Sequence, residues 1–85
     1  MASLTDKVTI VTGAARGLGQ AIAVELARRG CHIVVCDVNL DGAKAVAQDI
    51  ESLGRRSLAL QVDVSKVSDV NDMADRVMKE FGRID

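Results

Sequence analysis

The sequence has no Tyr, no Trp and no Pro, and Phe81 is its single aromatic residue. Whole enzymes of ordinary size rarely have such a composition, whereas pieces of larger chains can. It also lacks an excess of either charge: 11 basic residues face 12 acidic ones, for a formal net charge of −1. That balance gives no electrostatic reason to expect a nucleic-acid or membrane partner. No apolar run approaches the length that spans a bilayer. The opening Met1-Ala2-Ser3-Leu4-Thr5-Asp6-Lys7 has neither the basic start nor the apolar centre of a secretory signal. Cysteine is scarce as well. Cys31 and Cys36 lie five positions apart around one expected strand, which puts them on opposite faces and about 16 Å apart at ~3.3 Å per residue. A disulfide needs Cα atoms closer than about 7 Å, so both read as reduced packing residues, and a cytoplasmic setting is expected. No Cys, His or carboxylate spacing suggests a metal site.

What is present is a soluble, globular composition, 48% apolar and 27% charged, in a chain long enough for one small domain over residues 1–85. A chain of this size buries roughly 60–65% of its unfolded surface, so its stability is marginal. There is no repeat, linker or low-complexity stretch. Strand and helix signals alternate instead. Lys7 to Thr12 is short and β-branched and reads as a buried strand. After the interruption from Gly13 to Gly19, a helix is expected to run to about Arg29 with Leu18, Ala21, Ile22 and Leu26 on its apolar face and Gly30 at its end. His32 to Asp37 is a second strand. The next helix carries Leu40, Ala43, Val46, Ala47, Ile50 and Leu53 at three- and four-residue spacing and stops at Gly54. Ser57 to Val62 is a third strand. Ser65 is placed to cap a last helix, with Val67, Val70, Met73, Ala74, Val77 and Phe81 inward and Gly82 closing it. Such alternation with short joints implies parallel strands and right-handed crossovers, an α/β fold forming the first βαβαβα half of a doubly wound sheet. Arg83-Ile84-Asp85 reads as the approach to a fourth strand, with the chain truncated before it.

Three stations carry chemistry. Thr12-Gly13-Ala14-Ala15-Arg16-Gly17-Leu18-Gly19 is a strand end, a glycine-rich turn and a helix start. The unpaired N–H groups there, with the helix dipole, suit a pyrophosphate, and glycines let the phosphates approach the backbone. The bland reading is an ordinary turn with incidental glycines; its position after the first strand of a three-unit α/β pattern argues against that. Asp37 is the second station, at the tip of the second strand and 18 residues past Gly19. A carboxylate there accepts hydrogen bonds from a ribose and repels a 2′-phosphate. Arg16 pulls the other way, because it could pair with that phosphate or simply be solvated. On balance NAD is expected in preference to NADP. The third station is Asp63-Val64, at the carboxyl end of the third strand, where a ligand edge or a mere helix-entry turn are equally good readings of the residues. His32 and the pairs Arg28-Arg29, Arg55-Arg56 and Lys79-Glu80 read as structural or solvated positions.

Over its whole length the chain resembles the short-chain dehydrogenase/reductase family, whose Rossmann-type coenzyme motif Thr-Gly-x-x-x-Gly-x-Gly is matched by Thr12, Gly13, Gly17 and Gly19. The resemblance implies that Asp37 is the acid of the NAD-using members. It also implies that Asp63 faces the adenine amino group, with Val64 as the following apolar residue, and that Phe81 to Asp85 lead into a fourth strand. Implied cofactor-binding residues are therefore Gly13, Arg16, Gly17, Leu18, Gly19, Asp37, Asp63 and Val64. No catalytic residue is expected among these 85. The family's Asn-Asn-Ala-Gly motif, catalytic Ser and Tyr-x-x-x-Lys pair are not here, and Ser3, Ser52, Ser57, Ser65 and Ser68 have no such partner. Two functions follow: the coenzyme half of an NAD-dependent oxidoreductase interconverting a hydroxyl and a carbonyl, or a non-catalytic nucleotide-binding or interaction module. The implied partner is the dinucleotide coenzyme. A homo-oligomer is also expected, with self-association through the first strand if the chain is truncated.

Overall fold

The computed structural model describes residues 4–85; Met1, Ala2 and Ser3, part of the stretch read for a secretory signal, lie outside that range. The order of elements is β1 (Val8–Thr12), α1 (Gly17–Arg28), β2 (His32–Asp37), α2 (Leu40–Ser52), β3 (Ser57–Gln61) and α3 (Val67–Phe81). The three strands form one parallel sheet in the order β1-β2-β3, with Ile10 opposite Val34 and Val34 opposite Leu58. This is the α/β half-sheet expected from the alternation of elements.

The central strand β2 is buried on both sides. Ile33 and Val35 face one layer with Ala23 and Ala27 of α1 and Ala43, Val46, Ala47 and Ile50 of α2. Val34 and Cys36 face the other, against Val8, Val62 and Val77, with Met73 and Phe81 of α3 packed on them. Each fully buried Ile or Val stabilises by about 1.5–3 kcal/mol relative to exposure, so most of the stability is concentrated around this strand. The two cysteines divide between the layers, Cys31 in the first and Cys36 in the second, and both are free thiols.

The ends of the helices follow local chemistry. Gly30 and Gly54 follow the last residues of α1 and α2 with positive φ, and Gly82 closes α3 at φ 74°, the left-handed geometry that ends helices without a Cβ penalty. Three expectations need correction. The face of α1 toward the sheet is not Leu18-Ala21-Ile22 but the small pair Ala23 and Ala27. Leu18 is 77% exposed and Ile22 44%, while Leu26 only flanks the core. Alanines win because close approach of a helix to a sheet leaves little room for branched side chains. Second, Ser65 does not cap α3. Its hydroxyl and N–H both donate to Asp63 Oδ1, at 2.6 and 2.9 Å, which holds it in a turn before the helix. Lys66 is the N-cap, without a side-chain cap bond. Third, Val67 and Leu53, read as inward, are exposed as well.

The outer edge of β1 carries an unforeseen contact. Asp85 donates its N–H to Val8 O at 2.8 Å and accepts from Val8 N–H through Oδ2 at 2.9 Å. The end of the segment therefore lies beside β1, on the side away from β2.

Candidate coenzyme site

The glycine turn is built so that its backbone stays close to the helix it opens. Gly13 and Gly17 have φ of 63° and 61°, a region that costs an ordinary L-residue roughly 1–2 kcal/mol. Gly19 is needed for a different reason. A Cβ there would overlap Gly13 O and lie 2.8 Å from Gly13 C, both backbone atoms. Between them Ala14 is fully buried and donates its N–H to Cys36 O at 3.1 Å, which ties the turn to the tip of β2.

The first turn of α1 has no acidic residue, and its N-cap Arg16 makes no side-chain cap bond. The positive end of the helix dipole is thus left uncompensated, which favours an anion there. Arg16 is exposed and near enough to Asp37 for its charge to help lower that carboxyl.

Asp37 holds the centre of the site. Its Oδ1 accepts from Asn39 N–H and its Oδ2 from Ala15 N–H, each at 3.0 Å. Hydrogen bonds from Asn39 and then Ala15 hold its carboxyl below the usual value, with Arg16 adding a smaller effect. A carboxylate has about four lone-pair sites, so acceptor capacity remains for a ligand. Asp63 is likewise pulled below the ordinary range, first by the Ser65 hydroxyl and then by the Ser65 N–H. Its own N–H donates to Asp69 Oδ2 at 3.0 Å.

Thr12, Gly13, Asp37, Val38, Val62, Asp63 and Val64 surround one cleft of about 300 Å³ at the carboxyl ends of the strands. Gly13, Asp37, Asp63 and Val64 thus line one cleft, and Gly17, Leu18 and Gly19 form the adjacent first turn of α1. Arg16 does not line the cleft. A larger cavity, about 480 Å³, lies at the opposite end of the sheet around Arg55, Arg56 and Phe81, away from every predicted site residue.

The sequence pattern that defines the short chain dehydrogenase family matches residues 7–85. The chain belongs to that family. Among its curated short-chain dehydrogenase relatives, one from Claviceps purpurea is 42% identical over 83 residues, covering 96% of this chain and 31% of its own length. A hydroxynaphthalene reductase-like protein of Metarhizium robertsii is 41% identical, covering 98% of this chain and 32% of its own. A solved hydroxysteroid dehydrogenase from Escherichia coli superposes with a TM-score of 0.92 at 34% identity, covering 96% of this chain and 35% of its own. A short chain dehydrogenase/reductase of Burkholderia phymatum, solved in complex with NAD, matches at 0.92 and 28% identity over 99% of this chain and 30% of its own. The chain therefore spans about a third of the length of the short-chain dehydrogenases it matches.

Two contributors were missed in the residue pattern. Asn39 caps α2, its Oδ1 accepting from Gly42 N–H at 3.1 Å; an Asn three residues before a Gly, just after a strand-tip acid, was the available signal. Gly42 packs so tightly that a Cβ would lie 2.8 Å from Asn39 Nδ2 and 2.9 Å from Ala15 Cβ.

Proposed function

We propose that these residues form the coenzyme-binding part of an oxidoreductase that uses NAD to interconvert a hydroxyl and a carbonyl. The observation that carries the reading is the convergence of Asp37, Asp63, Val64 and Gly13 on one cleft beside the uncapped start of α1. The residues fit a dinucleotide. Without a Cβ at Gly19, the helix start lies directly against the Gly13 backbone, and the N–H groups of the first turn of α1 suit a pyrophosphate. The Asp37 carboxylate suits ribose hydroxyls, and Asp63 with the Val64 backbone suits an adenine edge. When bound, the coenzyme supplies the hydride acceptor or donor. This chain's residues bind and orient it. The proton transfer that accompanies hydride transfer in this family uses a Tyr, and the chain has none, so it is expected to be silent alone.

NAD is assigned over NADP because Asp37, a carboxylate at neutral pH whose hydrogen bonds favour the charged form, repels a 2′-phosphate. Calorimetric titration of the chain with both dinucleotides tests this. NAD is expected to bind more tightly; tighter NADP binding would reverse the assignment.

A further inference from the structure

Four contacts around Ala15 close into a ring. Ala15 N–H donates to Asp37 Oδ2 at 3.0 Å, across 22 residues of sequence. Asp37 Oδ1 accepts from Asn39 N–H at 3.0 Å. Asn39 Oδ1 accepts from Gly42 N–H at 3.1 Å. Gly42 lies against Ala15, with so little room that an added Cβ would stand 2.9 Å from Ala15 Cβ. The turn between β2 and α2 thus grips the glycine turn between β1 and α1 by a hydrogen bond on one side and by packing on the other. Ala15 lies inside the glycine motif, between Gly13 and Gly17, whose positive φ angles shape the turn. Beside it, among the described residues, the only other hydrogen bond between the glycine turn and β2 is that of Ala14 N–H to Cys36 O.

We propose that Asp37 is a positioning residue for the pyrophosphate-binding turn, through its clamp on Ala15, in addition to being the ribose acceptor. This deepens the coenzyme reading and rests on it for the identity of the ligand. A change at Asp37 then has two opposed effects on an anion at the turn. Loss of a nearby negative charge favours the anion, but Asp37 is only half-buried beside an open cleft and its charge is partly screened, so the gain is small, about twofold. Loss of the clamp leaves the turn to sample other conformations. A charge-assisted hydrogen bond exchanged for water corresponds to about tenfold in such an equilibrium. The second effect wins.

Inorganic pyrophosphate separates the two roles, because it reaches the turn and has no ribose. Asp37→Ala is expected to weaken pyrophosphate binding by about threefold or more, whereas a carboxylate that only met ribose and repelled phosphate would make the same variant bind it more tightly. Gly42→Ala leaves the carboxylate in place and disturbs the packing side of the ring; it is expected to weaken both pyrophosphate and NAD. Asp37→Asn keeps one acceptor oxygen, so it should bind NADP better than Asp37→Ala does, although both remove the same charge. The clamp is also read without any ligand. The Ala15 amide should exchange with solvent about tenfold faster in Asp37→Ala than in the wild-type chain, with circular dichroism confirming that both are folded. Unchanged Ala15 exchange, or tighter pyrophosphate binding in Asp37→Ala, overturns the proposal. Failure of the wild-type chain to bind NAD or pyrophosphate would sink the coenzyme reading instead, and the exchange measurement would still decide the clamp.

Discussion

Gly19→Ala is the substitution whose outcome the structure constrains most tightly. On helix propensity alone it should help, because Gly19 lies within α1 and Ala is favoured over Gly there by about 1 kcal/mol. The geometry opposes this. The new Cβ would overlap Gly13 O and lie 2.8 Å from Gly13 C and 3.2 Å from Ala14 Cα. All three are backbone atoms, so no side-chain rotation relieves the contact. Ala14 cannot retreat either, being fully buried and bonded to Cys36 O. The helix must therefore move off the turn, and overpacking of this kind costs roughly 1–3 kcal/mol. Subtracting the propensity gain leaves a net destabilisation of about 1 kcal/mol, large for a chain of marginal stability. Urea denaturation followed by circular dichroism measures it as a lowered midpoint with an unchanged slope. Gly17 supplies the control. A Cβ there meets nothing within 4 Å, and only its φ of 61° resists a side chain. Asn tolerates that φ better than Ala, so Gly17→Asn should be milder than Gly17→Ala, while Gly19→Asn should be worse than Gly19→Ala. Equal or higher stability for Gly19→Ala would refute the close-approach argument.

Further outcomes are expected. The Cys36 thiol, pushed up to about 11 by burial, should be inert to a thiol reagent at neutral pH in the folded chain and react only as the chain opens. The carboxyls of Asp37, Asp63 and Asp85 all lie below the ordinary value of 3.8. A lowered folded-state pKa contributes stability that is present above 3.8 and lost as pH falls through the folded value, so the urea midpoint should be flat from neutral pH to about 5 and fall below about 4; Asp37→Asn should flatten that fall. The chain should also self-associate through the outer edge of β1, and Asp85→Ala, which removes the acceptor for Val8 N–H, should increase the weight-average mass seen in sedimentation at a given concentration. Finally, NADH oxidation with a panel of carbonyl compounds should not exceed the buffer rate.

Where the residue pattern failed, the reason is three-dimensional in most cases and local in one. The three-unit alternation and the spacing of Gly13, Gly17 and Gly19 were legible because strand and helix periodicity and positive φ are local properties. The inward face of α1 was misread because hydrophobicity ranks Leu18 and Ile22 above Ala23 and Ala27, while the distance from helix to sheet selects small residues. Ser65 was taken for a cap because Ser is a good cap in isolation; Asp63, two residues earlier, competes for it with a carboxylate. His32, read as structural, has partners the sequence did not identify: its Nδ1 accepts from Arg56 N–H at 3.0 Å and its Nε2 lies 3.2 Å from Asp6 Oδ1. Arg55 and Arg56, read as solvated, are engaged too: Arg55 donates to Gly30 O, and Arg56 lies 4.5 Å over the Phe81 ring. None of these partners is near in sequence.

The pair of bonds between Asp85 and Val8 also fixes where the sheet changes its direction of growth. From β1 the chain winds outward through β2 to β3, placing α1 and α2 against one layer. It then crosses the other face as α3 and comes back not beyond β3 but to the free side of β1. The connection leaving the tip of β1 turns to one face, and the segment that reaches the free side of β1 at Asp85 arrives from the opposite face. Such reversal points, where chain reaches the two sides of one strand from opposite faces, are where open α/β sheets take up ligands. The glycine turn stands at that point. Two hydrogen bonds at the bottom of β1, on the far end of the strand, therefore mark out the crevice at its top.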